Sequence, residues 1–338
     1  MNENLNLLFY PVVLNKLINE IREESSFWLS RNFFSNTIIT YEPYYSIGKQ
    51  DISLNRAQTQ PLEAEAQQVK MKDINVTLVE IPTAREKILI NFEKLAKESH
   101  LVFMQGSELL KEKMKLLKTR VLALKEFLCA TALTNGKIEL SETNFKFDFN
   151  RKNTHSFNSA IKWNQATAKI LDDLKQGIDL IKKDAGIIPN KIILGGNVLN
   201  VFLSNQNIKE LYDIRNYHIG EIQGEIEENY VGSIAVNGQI LEIYTYSNFY
   251  KDEKGNVKQY IDPDSCYILN DNSFSFVSRV IPDYSNLISN FSSDLKVNEN
   301  NIYIDSIPCF DPRGMYVMSA FSGLPVLNTD ATVVIKTL

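Results

Sequence analysis

The chain has 338 residues, 44% hydrophobic and 23% charged, with a formal net charge of -5, a globular balance with material for one or two cores that excludes disordered and collagen-like classes. Its apolar runs, such as Ile187-Ile188 and Val333-Val334-Ile335, fall far short of the roughly 18 residues of a membrane span, and MNENLNLLFY has no basic region or cleavage site of a secretory signal, so a cytoplasmic product without a membrane partner is expected. Net acidity without a dense Lys/Arg block argues against specific nucleic-acid binding, which draws its affinity from clustered cations.

From Pro11 to about Ser30, Val13, Leu14, Leu17, Ile18 and Ile21 recur at helical spacing with a first-turn proline, predicting a short amphipathic arm. Thr37 to Tyr41 is β-branched and aromatic, and Ile74, Val76 and Leu78 alternate with polar residues ahead of Val79 and Ile81, predicting two strands. Between them Gly48 to Lys72 is dominated by Gln, Asn, Glu and Ala. A polar connection of about 25 residues is too long for an ordinary loop, so it is either disordered or an extended hairpin whose partner lies outside the subunit.

Leu110, Met114, Leu117, Val121, Leu124 and Leu128 then repeat at steps of four and three, predicting a long helix core, with the cations of Lys111 to Arg120 on a solvated face. Ser107 is the expected cap, Glu108 suits the positive end of the dipole, and Asn135-Gly136 the left-handed stop. From Ser107 to Ala132 the helix would span about 39 Å. Phe145, Phe147 and Phe149 predict a half-buried strand, and Arg151 to Ser159 a polar linker at a domain boundary.

The second region predicts a helix through Ile170, Leu171, Leu174, Ile178 and Ile181, stopped near Gly186 and Pro189. A strand at Lys191 to Leu194, the turn Gly195-Gly196-Asn197 and a helix through Val201 to Leu203 follow, then strands at 240–246, 273–281, 302–307 and 332–335. The fold class is α+β.

Chemistry finds little footing. Gly195-Gly196-Asn197 lacks the G-x-G-x-x-G and P-loop patterns, and a simple cap at Asn197 is expected. Ser322-Gly323 lacks the context of a nucleophile elbow. Cys129, Cys266 and Cys309 read as small buried hydrophobes, and His100, His155 and His218 sit near none of them, so no structural metal and no cofactor are expected. His218 with Glu221 reads as a surface hydrogen bond, and Asp252 to Asn256 as a hairpin turn rather than a calcium loop.

The order of parts is arm, long polar hairpin, long helix and separate mixed domain. It resembles the tailed-phage capsid fold of the Hong Kong 97 type. Leu133 to Ile138, Tyr246 to Tyr250 with Asp252 and Gly255, Ile261-Asp262-Pro263, Ile307-Pro308, and Leu324-Pro325-Val326 with Asp330 resemble its lambda-like major capsid proteins. The resemblance implies an arm (1–34), an extended loop (36–82), a peripheral domain (83–150 and 296–325) built on the spine helix, and an axial domain (151–295 and 326–338). It further implies no catalytic role. Copies would form hexamers and pentamers of an icosahedral or prolate shell around double-stranded DNA, built in the host cytoplasm with portal, scaffold and decoration proteins as partners.

Leu14, Leu17 and Ile21 in the arm, and Ile52, Leu54, Arg56, Leu62, Val69 and Met71 in the loop, are the expected intersubunit contacts. Lys49, Lys70 and Lys72 lie near the loop, but no pattern for covalent crosslinking accompanies them. The rival readings are an encapsulin-type shell around cargo protein and a soluble enzyme with a site between the domains.

Overall fold

The structure, a computed structural model, describes residues 9–21, 27–49, 75–91, 102–209, 229–252, 254–281 and 302–338. In chain order its elements begin with α1 (Pro11–Glu20), α2 (Trp28–Asn32), β1 (Thr37–Thr40), β2 (Tyr44–Lys49), β3 (Asn75–Glu80), β4 (Thr83–Asn91) and the long α3 (Val102–Asn135). Next come β5 (Lys137–Leu140), β6 (Phe145–Asp148), β7 (Ser156–Asn158), α4 (Ile170–Ala185), β8 (Lys191–Gly195) and α5 (Gly196–Ser204). Then follow β9 (Tyr230–Val236), β10 (Gln239–Tyr246), β11 (Phe249–Lys251), β12 (Val257–Gln259), β13 (Ser265–Leu269) and β14 (Phe274–Arg279). The last strands are β15 (Tyr303–Phe310), β16 (Arg313–Leu327) and β17 (Thr332–Lys336). The class is α+β, and the chain divides into two units, each discontinuous in sequence.

The first unit comprises Met1–Tyr45, Glu80–Ala130 and Ser275–Val326. Its sheet runs β1-β14-β16-β15, with β4 also on β16. Residues 314–320 of β16 are held between β15 and β4. Leu110, Met114, Leu117 and Val121 of α3 are fully buried, as is Leu128, whereas Leu124 is only half-buried. The helix also starts five residues before Ser107, at Val102, and its 34 residues give about 51 Å. Ser107 is therefore not the cap, and the helix runs through Gly106, since a single glycine costs a helix only about 1 kcal/mol.

Two buried charges of α3 organise the N-terminal segment. Helix α1 has no basic residue in its last turn, and Lys118 supplies the cation, donating from Nζ to the carbonyls of Ile18 (3.2 Å) and Ile21 (2.8 Å). Helix α2 has no side-chain cap of its own. The Glu126 carboxylate, fully buried, accepts from the N–H groups of Leu29 (2.8 Å) and Ser30 (2.7 Å), doing from a distance what an N-cap side chain does locally. Each charge has the sign that the helix dipole it meets requires.

The second unit comprises Ser46–Val79, Thr131–Phe274 and Leu327–Leu338. Its sheet has the order β7-β17-β13-β8-β10-β9, mixing parallel and antiparallel pairs. Strands β8 and β13 are buried along nearly their whole length, as strands covered on both faces are. Leu174, Ile178 and Ile181 of α4 join their core. Gly177 sets that approach, since a Cβ there would lie 2.6 Å from Ile268 Cδ1. The helix ends on Gly186 at φ 66, near the expected stop.

Gly136, at φ 66, ends α3, and Arg151 covers the exposed carbonyls, donating to Leu133 (2.5 Å) and Thr134 (2.9 Å). Burial pushes the Arg151 guanidinium down to about 10, which leaves it charged at neutral pH. The expected polar linker 151–159 is thus structural. It contains the fully buried His155 and the sheet strand β7. Glu126→Ala is expected to destabilise the subunit by about 2–4 kcal/mol, and Glu126→Gln by about half as much. Urea unfolding measures both, and a wild-type midpoint in the alanine variant would remove this role.

Candidate assembly surfaces

Among the described residues, the places where the sequence raised a chemical reading are held by the chain's own groups. The start of α5 is roofed by the turn at Asp262-Pro263, whose carbonyl oxygens sit where a Cβ on Gly195 would go. The Asn197 N–H donates to the Pro263 carbonyl (3.1 Å), and its side-chain amide to Asp264 Oδ1 (2.8 Å). Asn197 is therefore not the cap; Gly195 is. A helix N-terminus whose N–H points at a protein carbonyl offers that donor to no phosphate.

His155, Asp184 and Asp330 are near enough to share a cation. Lys152 supplies one from the chain, with Nζ 3.0 Å from Asp184 Oδ2 and 3.5 Å from Asp330 Oδ1. His155 Nε2 lies 3.0 Å from the same Asp184 oxygen, and its Nδ1 lies 2.9 Å from the Thr332 carbonyl. The cluster ties residues 152–155, the end of α4 and the start of β17 together within the second unit. In the β11–β12 hairpin, Asp252 Oδ1 accepts from the N–H groups of Asn256 (2.8 Å) and Lys254 (3.0 Å). Lys258 Nζ is 2.9 Å from Oδ2. The Lys258 hydrogen bond, with that of Asn256 N–H, holds the Asp252 carboxyl down to about 2. Asp252 builds this turn. Cys129 and Cys266 are buried, while Cys309 is partly exposed. His100, His218 and Glu221 lie outside the described residues.

Surfaces tell more. Leu14 is fully buried within its own unit, so of the three expected arm contacts only Leu17 and Ile21, both half-buried, keep apolar surface to offer a partner. Ile52, Leu54, Arg56, Leu62, Val69 and Met71 lie outside the described residues, as do Lys70 and Lys72. Strands β2 and β3, which lead to and from that loop, pair as a two-stranded ribbon. On β3 the alternation inverts the usual expectation. Val76 and Leu78 are 58% and 65% exposed, and Val79 is the buried residue. Tyr41 and Ile39 in the first unit, and Phe249 and Val257 on the β11–β12 hairpin, are also exposed. Scattered apolar residues are normal on a monomer surface, but two on one face of an isolated ribbon mark a side that needs cover. Among the described residues no helix is long and apolar enough to cross a membrane.

A family model described as phage major capsid protein E matches residues 12–337. Among solved structures, a prophage protein of E. coli CFT073 assigned to the capsid aligns with a TM-score of 0.67 at 17% identity, over 97% of this chain and 99% of its own. The capsid protein of cyanophage A-1(L) aligns at 0.52 and 9% identity, covering 92% of each chain. An encapsulin of Synechococcus elongatus aligns at 0.50 and 10% identity, over 94% of this chain and 89% of its own. At these identities the likeness is one of fold. No curated protein matches the chain.

The salt-linked cluster carries a pH dependence. Burial by itself would raise Asp184, but hydrogen bonds from His155 and Lys152 outweigh it and hold the carboxyl below its ordinary value. Its stabilisation is therefore complete above the unfolded value, about 3.9, and is lost as pH falls through the lower folded value. Asp184→Asn should flatten the loss of stability on acidification below about pH 5, measured by urea unfolding across pH. An unchanged acid slope would count against the cluster.

Proposed function

The chain belongs to the phage major capsid protein E family, and from that membership we propose that its copies close into an icosahedral or prolate head around double-stranded phage DNA. It is a shell-forming structural protein and not an enzyme. The observation that carries the reading is the family match across nearly the whole chain. Shell building asks for many modest, repeated contacts rather than one deep site.

Within that reading, residues 1–34 are the arm and 36–82 the extended loop. Residues 83–150 with 296–325 form the peripheral domain, and 151–295 with 326–338 the axial domain. Hexamers and pentamers assemble in the host cytoplasm, with portal, scaffold and decoration proteins as partners. The net charge of -5 fits a container that holds DNA without gripping its phosphates. Contacts between copies are carried by Leu17 and Ile21, by the loop residues Ile52, Leu54, Arg56, Leu62, Val69 and Met71, and by Val76 and Leu78 at its base. An encapsulin-type shell around cargo protein shares the fold. The family match favours the phage head.

Electron microscopy of the chain expressed with its neighbouring head genes should show closed particles, and a chain that stays monomeric at high concentration would sink the proposal. Val76→Asp combined with Leu78→Asp should reduce particle yield at least tenfold while leaving the circular dichroism melt of the subunit within a few degrees. Purified particles should run as monomers on denaturing gels, because assembly is noncovalent; a ladder of covalent multimers would contradict this.

A further inference from the structure

His155 is completely buried, and both of its ring nitrogens face oxygen atoms that accept hydrogen bonds. Nδ1 lies 2.9 Å from the Thr332 carbonyl, and Nε2 lies 3.0 Å from Asp184 Oδ2. A neutral imidazole has a single N–H to give. Whichever oxygen it serves, the other nitrogen turns a lone pair toward an acceptor. Something positive has to stand there, either a second proton on the ring or a metal ion. Donation from Nδ1 to a backbone carbonyl is also the arrangement that fixes the tautomer of a metal-ligating histidine and leaves Nε2 for the ion.

The groups around Nε2 suit a cation. Nε2, an oxygen of Asp184 and an oxygen of Asp330 lie within 4.8 Å of one another. Ligand atoms at about 2.0–2.2 Å from a tetrahedral zinc ion stand roughly 3.4 Å apart, so adjustment of side chains alone brings the three to a common centre. They come from the turn 153–155, the end of α4 and the turn 329–331 that leads into β17. Lys152 marks where positive charge belongs, with Nζ 3.0 Å from Asp184 Oδ2 and 3.5 Å from Asp330 Oδ1. The lysine side chain is 44% exposed, and its flexible stem can carry the ammonium into water without any change of the backbone.

We propose that His155 Nε2, Asp184 and Asp330 form a binding site for a zinc-type divalent cation, which enters by displacing the Lys152 ammonium. The charges balance, since the two carboxylates match the ion once the lysine has withdrawn. Three protein ligands leave the fourth position of the ion to water. An imidazole nitrogen beside two carboxylates selects zinc, cobalt or nickel over magnesium and calcium, which take oxygen ligands. The bound ion staples the turn at 153–155, α4 and the start of β17, and so stabilises the second unit. This goes beyond the shell reading and does not rest on it: particles that form without zinc uptake would sink the site and leave the shell standing.

For the test, the purified full-length chain is stripped with a chelator, titrated calorimetrically with zinc chloride, and melted with and without the ion. One zinc should bind per chain, and zinc should raise the melting temperature where magnesium at the same concentration does not. Cobalt should give the visible absorption of an ion held by nitrogen and oxygen, with no sulfur band in the near ultraviolet. Lys152→Ala removes the rival cation but no ligand, and should tighten zinc roughly tenfold, the worth of two partly exposed ion pairs. His155→Gln should abolish binding. If that variant does not fold, Lys152→Ala decides alone, and an affinity equal to wild type overturns the proposal. It also falls if folded His155→Gln binds zinc undiminished, if cobalt shows the sulfur band, if magnesium stabilises as strongly as zinc, or if the wild-type chain takes up no zinc. Uptake by Lys152→Ala alone would make the lysine the resident cation and likewise overturn it.

Discussion

The N-terminal segment is held by two buried charges on one helix. Lys118 and Glu126 lie eight residues apart on α3, about 12 Å along its axis, and meet the carbonyl end of α1 and the amide end of α2 respectively. Burying a carboxylate or an ammonium is costly unless its hydrogen bonds are made. Here the unsatisfied backbone groups of two short helices make them. Neither α1, with ten residues, nor α2, with five, is long enough to persist alone. The position of residues 11–32 therefore depends on α3, and Leu14 and Ile18 are spent in the subunit's own core.

That dependence separates what the sequence discloses from what it conceals. The seam of α3, the stop at Gly136, the strand β8 and the amphipathic α4 are local patterns, set by residues within a few positions of each other. The charge clamp joins residues 97 positions apart, and a Lys or Glu in a helix reads as solvated until its partner is known. The longest strand, β16, is not among the predicted elements, and Gly323 and Pro325 interrupt any strand pattern in its sequence. In the structure Gly323 is there for space: a Cβ would strike Phe276, whose ring stacks on Phe321 at 6.0 Å. The nine residues of β4, TAREKILIN, begin polar and show no strand alternation at their start, and their partner β16 is remote in sequence. His155 reads as part of a linker because its partners, Asp184 and Thr332, lie 29 and 177 residues away.

A polar stretch too long for an ordinary loop left open either disorder or a hairpin with an outside partner, and most of it lies outside the described residues. The absence of any phosphate-loop or nucleophile pattern in the sequence pointed away from catalysis. Which residues remain exposed could not be read from hydrophobicity. Leu14 and Leu78 look alike in sequence, yet one is in the core and the other faces solvent. Burial depends on what covers a residue, and that is a property of the fold. The exposed Phe310 shows the same limit, since an isolated Phe between Cys309 and Asp311 carries no periodic signal.

The interleaving of the first unit also fixes a timetable. Thr83 hydrogen-bonds Ser322 across 239 residues, and β1 pairs with β14, which the ribosome makes far later. At about 5–20 residues per second, roughly 10–50 s pass between synthesis of β4 and of its partner β16. During that interval the apolar seam of α3 has no completed sheet to cover it, so the nascent chain is a natural client for chaperones. The β15–β16 hairpin emerges after almost everything else, so a subunit acquires its most exposed described aromatic, Phe310, only when the rest of the chain is already available to fold.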